Sequence, residues 1–271
     1  MYDYKLPGCA FLAAERGGKE RRKMKLTDLH CHILPGMDDG SPDFETSVAM
    51  AKMALAGGVC TIAATPHSNV EDDDMALRCR VIRHRAAMLR DALSQNHAPV
   101  KILTGMELFI RDNLPEILES GSFMTLGGTK YLLGEFDFGE DGGYMDDALE
   151  YIRRQGLTPV LAHPERYAAV QRDPARVARW FNSGIIVQVN KGSVLGRFGK
   201  GPRLAADWIL RRGFAHIIAS DAHGTECRTP DMTEVFDFIS SEYSEEYAKI
   251  LLSVNPGRIS EGSSVLSPGE D

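Results

Sequence analysis

The chain has 271 residues, of which 43% are hydrophobic and 25% are charged, so it can bury a sizeable core, and one domain is the simplest expectation. Its net charge of −7 argues against a cationic surface for nucleic acid, and no run of about 18 apolar residues predicts insertion into a membrane. The five cysteines are odd in number and widely scattered, which argues against a disulfide framework and predicts a reducing, cytoplasmic location.

Regular patterning begins at residue 25, so we expect 1–24 to form a flexible extension, 25–258 the domain and 259–271 a frayed tail. Within the domain, seven short apolar segments alternate with amphipathic ones. Strands are predicted at 25–30, 60–67, 100–107, 130–136, 158–164, 185–190 and 215–223. Helices are predicted at 41–58, 71–95, 112–120, 144–155, 173–183, 201–212 and 231–252.

The ends of these helices carry recognisable signals. Ser41 is predicted to cap the first helix, with Pro42 at its first position and the Gly57-Gly58 pair at its end. The repeated strand and helix favour a parallel sheet closed into an α/β barrel.

Side chains able to bind metal lie at the ends of the predicted strands. They are His30, His32, Asp38, Asp39, His67, Glu107, Glu135, His163, Asp221 and His223. In a barrel of parallel strands all these ends meet on one face, which is where such folds keep their active sites.

The chemistry of these residues favours a metal centre. On a strand, His30 and His32 project to the same side, so both imidazoles can reach one ion. A lone pair of this kind is more often structural, and Asp-Asp-Gly is usually a turn. Glu107 and Glu135 each end an apolar strand, where an ionised carboxylate needs a partner. Mixed nitrogen and oxygen donors suit Mn²⁺, Fe²⁺ or Zn²⁺.

Seven segments together resemble a known family. DLHCHILPGMDDG, ATPH, GME, LLGEF, AHPERY, QVN and SDAH are similar, in order and spacing, to the manganese-dependent bacterial tyrosine phosphatases of the CpsB/YwqE group, within the polymerase-and-histidinol-phosphatase (PHP) superfamily. The resemblance spans 25–258 and implies the PHP fold, a distorted (β/α)7 TIM-like barrel with its active site at the carboxyl ends of the strands. It also implies three divalent metals, with Mn²⁺ as the first expectation and Fe²⁺ or Zn²⁺ as alternatives.

The same resemblance implies a ligand set for each metal. One metal would be held by His30, His32, Glu107 and Asp221, a second by Asp39, His67 and His223, and a third by Glu107, Glu135 and His163. Asp38 is the reserve for Asp39. Arg166 and Arg228 resemble the arginines that grip phosphate, although Arg228 is aligned less securely and Ser68-Asn69 departs from the usual residues of the group.

The implied reaction is attack on a phosphomonoester by a metal-bridging hydroxide, with Asp39 or His223 as general acid if metal binding leaves either free. The implied substrate is the phosphotyrosine-rich tail of a bacterial tyrosine kinase that controls capsule or exopolysaccharide synthesis. The sequence does not indicate an oligomeric state.

Three other interpretations remain to be compared with this one. A PHP hydrolase of a small phosphomonoester, such as histidinol phosphate, would share every ligand and differ only in the pocket wall. A non-catalytic relative would bind a kinase without turnover. The Cys79-to-Arg85 spacing fits a cysteine-dependent phosphatase, but its surroundings predict a helix rather than a glycine-rich phosphate loop.

Overall fold

The computed structural model describes residues 25–70 and 74–266, so the predicted extension at 1–24 lies outside the described residues. The strands are β1 (Leu26–Cys31), β2 (Val59–Ala64), β3 (His67–Ser68), β4 (Lys101–Thr104), β5 (Glu107–Phe109), β6 (Tyr131–Glu135), β7 (Thr158–Ala162), β8 (Ile186–Asn190) and β9 (Ile217–Ala219). The helices are α1 (Phe44–Ala56), α2 (Met75–Gln95), α3 (Leu114–Ser120), α4 (Gly142–Arg154), α5 (Ala168–Arg172), α6 (Ala175–Asn182), α7 (Lys191–Val194), α8 (Lys200–Arg211), α9 (Thr233–Glu242), α10 (Glu245–Lys249) and α11 (Asn255–Ser260), with a π-helical turn at Ile250–Val254.

Two of the seven predicted strands are interrupted. Thr65 and Pro66 separate β2 from β3, and Gly105 and Met106 separate β4 from β5. The first half of each interrupted strand pairs in the order β1-β2-β4, whereas the second half pairs in the order β3-β5-β6-β7-β8-β9. All the pairings are parallel, so the two sheets form one continuous series of seven strand positions.

Backbone contacts after β9 bring the last strand back to the first. Cys31 forms a parallel bridge with Ala222, and the His32 amide donates to the Ala222 carbonyl at 2.9 Å. The Asp221 amide donates to the His30 carbonyl at 2.8 Å. These bonds join the two ends of the sheet, which confirms the predicted distorted barrel of seven strand and helix units.

A buried carboxylate strengthens the same junction. Asp28 is fully buried on β1 and accepts hydrogen bonds from the Ser220 amide at 3.0 Å and the Ser220 hydroxyl at 2.5 Å. Burial raises the pKa of Asp28, while the bonds from Ser220 oppose that rise. This polar link is the reason that an acidic residue is tolerated inside the first strand.

The predicted cap of the first helix is wrong by two residues. Asp43, not Ser41, accepts a hydrogen bond from the Thr46 amide at 2.8 Å, and α1 begins after it. Ser41 instead belongs to the turn before the helix, where its amide donates to the His32 carbonyl at 3.0 Å. The loop between β1 and α1 therefore folds back over the end of β1.

The predicted fraying of the tail is wrong for residues 261–266. Leu266 and the Asn255 side chain exchange two hydrogen bonds of 2.8 and 2.9 Å, and the Tyr131 hydroxyl donates to the Ser263 carbonyl at 2.7 Å. Buried Asn255 needs these partners, so the segment is held against the barrel. The remaining predicted tail, 267–271, lies outside the described residues.

Two further features concern the described part of the chain. Cys79 and Arg85 both lie within α2, and Cys79 is buried, so their spacing forms no phosphate loop. Among residues 25–70 and 74–266, no helix is both long enough and apolar enough to cross a membrane.

Candidate active site

Glu107 lies at the centre of the predicted cluster and is completely buried. Its Oε1 atom is 3.0 Å from His163 Nε2 and 3.1 Å from His30 Nε2. Its Oε2 atom is 3.3 Å from His32 Nε2 and 3.0 Å from His67 Nδ1. One carboxylate thus faces four imidazoles from three places: the end of β1, the start of the short strand β3, and the residue after β7. They meet at the face where the carboxyl ends of barrel strands converge.

The two histidines of β1 are held by partners behind them. His30 Nδ1 is 2.9 Å from Gln188 Oε1, and His32 Nδ1 is 2.8 Å from Asp38 Oδ2. Both Nε2 atoms turn into the cluster, where they are 3.2 Å apart. An imidazole fixed through one nitrogen presents the other as a ready ligand, which is the usual arrangement around a protein-bound metal.

Asp38 and Asp39 have different positions, although they are neighbours in sequence. Asp38 also accepts from the His67 amide at 2.9 Å and therefore orients the cluster from outside. Burial acts against its ionisation, but the hydrogen bond with His32 lowers the pKa of Asp38 to about 2. The Asp39 side chain is 65% exposed, with Oδ1 3.4 Å from His67 Nε2 and 3.3 Å from His223 Nε2. This geometry favours Asp39 as the ligand, with Asp38 as the residue behind it.

Asp221 connects the histidine cluster to both arginines. Its Oδ1 atom is 3.4 Å from His32 Nε2, while its Oδ2 atom accepts from Arg228 Nη2 at 2.5 Å and Asn190 Nδ2 at 2.6 Å. Arg166 Nη1 lies 3.5 Å from the same Oδ2 atom. The two arginines predicted from separate segments therefore lie side by side at the edge of the cluster.

Glu135 and His163 complete the cluster. Glu135 Oε1 is 2.9 Å from His67 Nδ1, and its Oε2 is 3.7 Å from His163 Nε2. The backbone φ angles of His163 and Asp221 are +35° and +50°, in the left-handed region that non-glycine residues rarely adopt. Such conformations concentrate at functional sites, and here they occur one residue after β7 ends and two residues after β9 ends.

The electrostatics of the cluster favour bound cations. Although burial opposes protonation, hydrogen bonds to Glu107 and Glu135 raise the pKa of His67 to about 10. Burial would raise the pKa of Glu107, but the charge of His30 and bonds from neighbouring imidazoles hold it well below its usual range. Burial, followed by the charges of His32 and Arg228, lowers the pKa of His223 to about 4. The carboxylates need positive charge here, and divalent ions can supply it in place of protons.

The donor set fits a polynuclear metal centre. Among the described residues, two buried atoms that point into it, Glu107 Oε2 and His223 Nε2, have close polar neighbours but none with the geometry of a hydrogen bond. Donor atoms within 4.8 Å of one another form four overlapping groups. These groups are His32, Asp39, His67 and His223; His30, His32 and Glu107; His30, His163 and Asp221; and His67, Glu107 and Glu135. The grouping resembles the three predicted ligand sets, but it pairs Glu107 and Glu135 with His67 rather than His163, so the division among metals remains a prediction.

Several functional positions were not assigned from the sequence. Gln188 and Asn190 lie on β8, where alternate residues face the same side, and they contact His30 and Asp221 respectively. Two polar residues spaced two apart at the end of an apolar strand were a signal that could have identified Gln188 and Asn190. Lys191 is 2% exposed, and its ammonium donates to the carbonyls of Thr229 and Asp231, which holds the loop that contains Arg228.

The other three of the eight histidines lie outside the cluster. His84 and His97 are exposed. His216 is buried, accepts a hydrogen bond from the Val187 amide at 3.0 Å and stacks on Phe181 with ring centroids 4.3 Å apart. Its role is therefore structural.

The fold and the site define a class: a parallel α/β barrel with a candidate metal centre at the carboxyl ends of its strands. The lactonase Lmo2620 from Listeria monocytogenes shares this fold, with a TM-score of 0.58, 13% identity, and coverage of 88% of this chain and 95% of that chain. At such low identity the likeness is informative about the fold alone.

The chain belongs to the CpsB/CapC family of capsular polysaccharide synthesis, whose sequence model matches residues 26–261. It is 32% identical over 228 residues to the tyrosine-protein phosphatase YwqE of Bacillus subtilis, covering 83% of this chain and 88% of the relative. It is 30% identical over 244 residues to the tyrosine-protein phosphatase CpsB of Streptococcus pneumoniae, covering 86% and 98%. A crystal structure from work on these two proteins, described as unique metal-dependent tyrosine phosphatases, matches with a TM-score of 0.82, 30% identity, and coverage of 89% and 96%.

Proposed function

We propose that this protein is a metal-dependent protein-tyrosine phosphatase that hydrolyses phosphotyrosine to tyrosine and inorganic phosphate. The main observation is the position of Asp221, whose two oxygens face the histidine cluster on one side and two arginines on the other. A phosphate held by the arginines would therefore touch the candidate metal centre. The names of the two relatives support phosphotyrosine as the substrate.

The proposed cofactor is a set of three divalent ions, with Mn²⁺ first and Fe²⁺ or Zn²⁺ as alternatives, because the donors mix imidazole nitrogen with carboxylate oxygen. The proposed ligands are those predicted from the sequence: His30, His32, Asp39, His67, Glu107, Glu135, His163, Asp221 and His223. Bound ions would supply a water of lowered pKa as the nucleophile and would offset charge on the phosphoryl oxygens. The protein fixes the ligands, as Asp38 does for His32.

The arginines would bind and orient the phosphate. Arg228 Nε donates to the Asp221 carbonyl at 3.2 Å while its Nη2 contacts the Asp221 carboxylate, so its guanidinium is fixed in two places. Arg166 is 20% exposed and Arg228 is 30% exposed at the side chain, which leaves donors available to an incoming anion. Planar guanidinium groups match phosphate oxygens well, and two of them select a dianion.

The leaving group would depart toward the exposed side of the site. Asp39 and His223 are 3.3 Å apart there, and Asp39 is the more exposed of the two. Either residue could deliver a proton to the departing oxygen when metal binding leaves it free. A phenolate, whose parent pKa is near 10, needs less help from an acid than an alkoxide does, and this agrees with an aryl phosphate as substrate.

The proposed protein substrate is the autophosphorylated tail of a bacterial tyrosine kinase of capsule or exopolysaccharide synthesis, in the cytoplasm. The capsular synthesis family supports this assignment. The alternative within the same superfamily is a small phosphomonoester such as histidinol phosphate, which would use the same ligands.

Turnover of p-nitrophenyl phosphate and of a phosphotyrosine peptide tests the proposal. We expect activity with Mn²⁺ that is lost on addition of EDTA and reduced in His163→Gln, whereas His84→Gln, which changes an exposed histidine outside the cluster, keeps it. Efficient hydrolysis of histidinol phosphate without hydrolysis of the peptide would replace the proposal by its alternative. Binding of a phosphotyrosine peptide without any turnover would indicate a non-catalytic relative.

A further inference from the structure

The guanidinium of Arg166 lies close to two phenyl rings. Its Cζ atom is 4.3 Å from the ring centroid of Phe138 and 4.6 Å from that of Phe198. A guanidinium is attracted to the faces of aromatic rings at such distances. The two rings therefore help to hold Arg166 in place beside Asp221.

The ring of Phe198 is seated against the backbone. A Cβ atom at Gly192 would lie 2.5 Å from Phe198 Cε2, so only glycine leaves room for the ring at this point. The Gly192 amide is also fixed, because it donates to Asn190 Oδ1 at 2.8 Å. Phe198 thus forms the packed side of the aromatic pair.

The ring of Phe138 is different, because it is 44% exposed. It follows β6 at the carboxyl end of the barrel, and its carbonyl accepts from the Ala168 amide at 2.8 Å. Its ring contacts those of His163 and buried Tyr167, with centroids 5.9 and 6.1 Å away. The ring is therefore packed against two side chains of the site and remains partly open to solvent.

This exposure is unusual for the chain. Among residues 25–70 and 74–266, Phe138 is the only phenylalanine, tyrosine or tryptophan that is exposed. A single exposed apolar side chain is ordinary in itself. Phe138, however, is packed against a candidate phosphate-binding arginine and a candidate metal ligand. Its exposed ring is therefore well placed to contact the substrate.

We propose that Phe138 stacks on the aryl ring of the phosphomonoester and is a specificity-determining residue for aryl over alkyl phosphates. This inference rests on the proposed function, since it places the phosphate on Arg166. A phosphate bound there would bring its ester substituent next to the ring that lies 4.3 Å from the guanidinium. Contact between two aromatic rings with centroids 4.5 to 7 Å apart strengthens binding by about 2- to 13-fold, beyond the effect of the apolar area that is buried.

Inhibition constants separate ring recognition from phosphate recognition. The probes are phenylphosphonate, methylphosphonate and inorganic phosphate, used as competitive inhibitors of p-nitrophenyl phosphate turnover by the Mn²⁺-loaded protein. We expect Phe138→Leu to raise the Ki ratio of phenylphosphonate to methylphosphonate by about 2- to 13-fold. Phe138→Tyr is expected to restore the ratio, because it returns the ring.

Two controls distinguish the ring contact from the support of Arg166. Phe198→Leu removes the other ring and should raise all three Ki values together without changing the ratio. Phe238→Leu removes a phenyl ring that lies 5.2 Å from a different arginine, Arg203, and should change neither the ratio nor the Ki values.

An unchanged ratio in Phe138→Leu would overturn the inference, as would an equal rise of all three Ki values, which would limit Phe138 to holding Arg166. If the native protein hydrolyses a phosphotyrosine peptide and the ratio is unchanged, this inference fails and the proposed function stands. If the native protein does not hydrolyse that peptide, the proposed function fails first.

Discussion

Replacement of Asp38 by asparagine tests whether this carboxylate positions a ligand or binds metal itself. Asp38 accepts from His32 Nδ1 at 2.8 Å, from the His67 amide at 2.9 Å and from the Gly40 amide at 2.9 Å. Asparagine keeps one acceptor oxygen and has an NH2 group in place of the other. On that side of the side chain, N–H donors would therefore face each other. The hydrogen bond to His32 also loses the charge of its acceptor.

The expected magnitude follows from those bonds. A hydrogen bond to a charged group contributes about 1.5–3 kcal/mol, which corresponds to roughly tenfold to 150-fold in an equilibrium constant. Loss of partners behind metal ligands typically weakens metal binding by about 10- to 100-fold. We therefore expect Asp38→Asn to weaken Mn²⁺ binding by about 10- to 100-fold while the number of bound ions stays the same.

Titration with Mn²⁺ in competition with a chelator of known affinity measures both quantities. Asp39→Asn is the matched control, because Asp39 is the neighbouring carboxylate that faces His67 and His223 directly. It should reduce the number of tightly bound ions. If Asp38→Asn lost a bound ion while Asp39→Asn kept all of them, the two assignments would have to be exchanged, and unchanged affinity in Asp38→Asn would refute the positioning role.

Three further predictions concern other parts of the molecule. Glu107→Gln should lower kcat/KM for p-nitrophenyl phosphate more than His163→Gln does, because Glu107 faces four imidazoles, and near-normal turnover would contradict the proposal that Glu107 bridges two metals. Burial lowers the pKa of His216 to about 4 from 6.5, so stability present above pH 6.5 should be lost as the pH falls, by about 3 kcal/mol at pH 4. Urea unfolding should show a smaller loss between pH 7 and pH 4 in His216→Gln, and equal losses would refute this. Lys191→Met should raise KM by about tenfold with a smaller change in kcat, because it loosens the loop that holds Arg228, and an equal fall in kcat would point to a wider structural defect.

The positions of the strands and of most cluster residues could be predicted from the sequence. Apolar segments that end in an acidic or histidine residue are a strong pattern, as at Glu107, His163 and Asp221. A parallel barrel places all such ends on one face, so residues far apart in the chain were expected to meet there. Direct contact of Glu107 with four imidazoles agrees with that expectation.

The helix cap and the separate roles of Asp38 and Asp39 depend on the path of the backbone through a loop, which a sequence pattern does not specify. Ser41 and Asp43 are both good caps, and only the fold of the preceding turn shows that Asp43 is used. Asp38 and Asp39 are chemically identical, but the turn directs one behind His32 and the other to the surface of the cluster. The sequence alone could not separate these roles.

Residues that support the site were missed for a related reason. Gln188 and Asn190 act through His30 and Asp221, so their function depends on contacts across the barrel rather than on a local motif. The position of Phe138 over Arg166 joins two loops that lie 28 residues apart in sequence. Such pairings become visible only when the strand order is known.

We propose above all that imidazole and carboxylate side chains from separate strands hold a shared set of metal ions around Glu107. Anomalous diffraction at the manganese edge, from crystals of the active protein grown with Mn²⁺, tests it directly. We expect peaks within coordinating distance of Glu107, with the shared carboxylate between two of them. Crystals that retain phosphatase activity and show no peak beside Glu107 would contradict it.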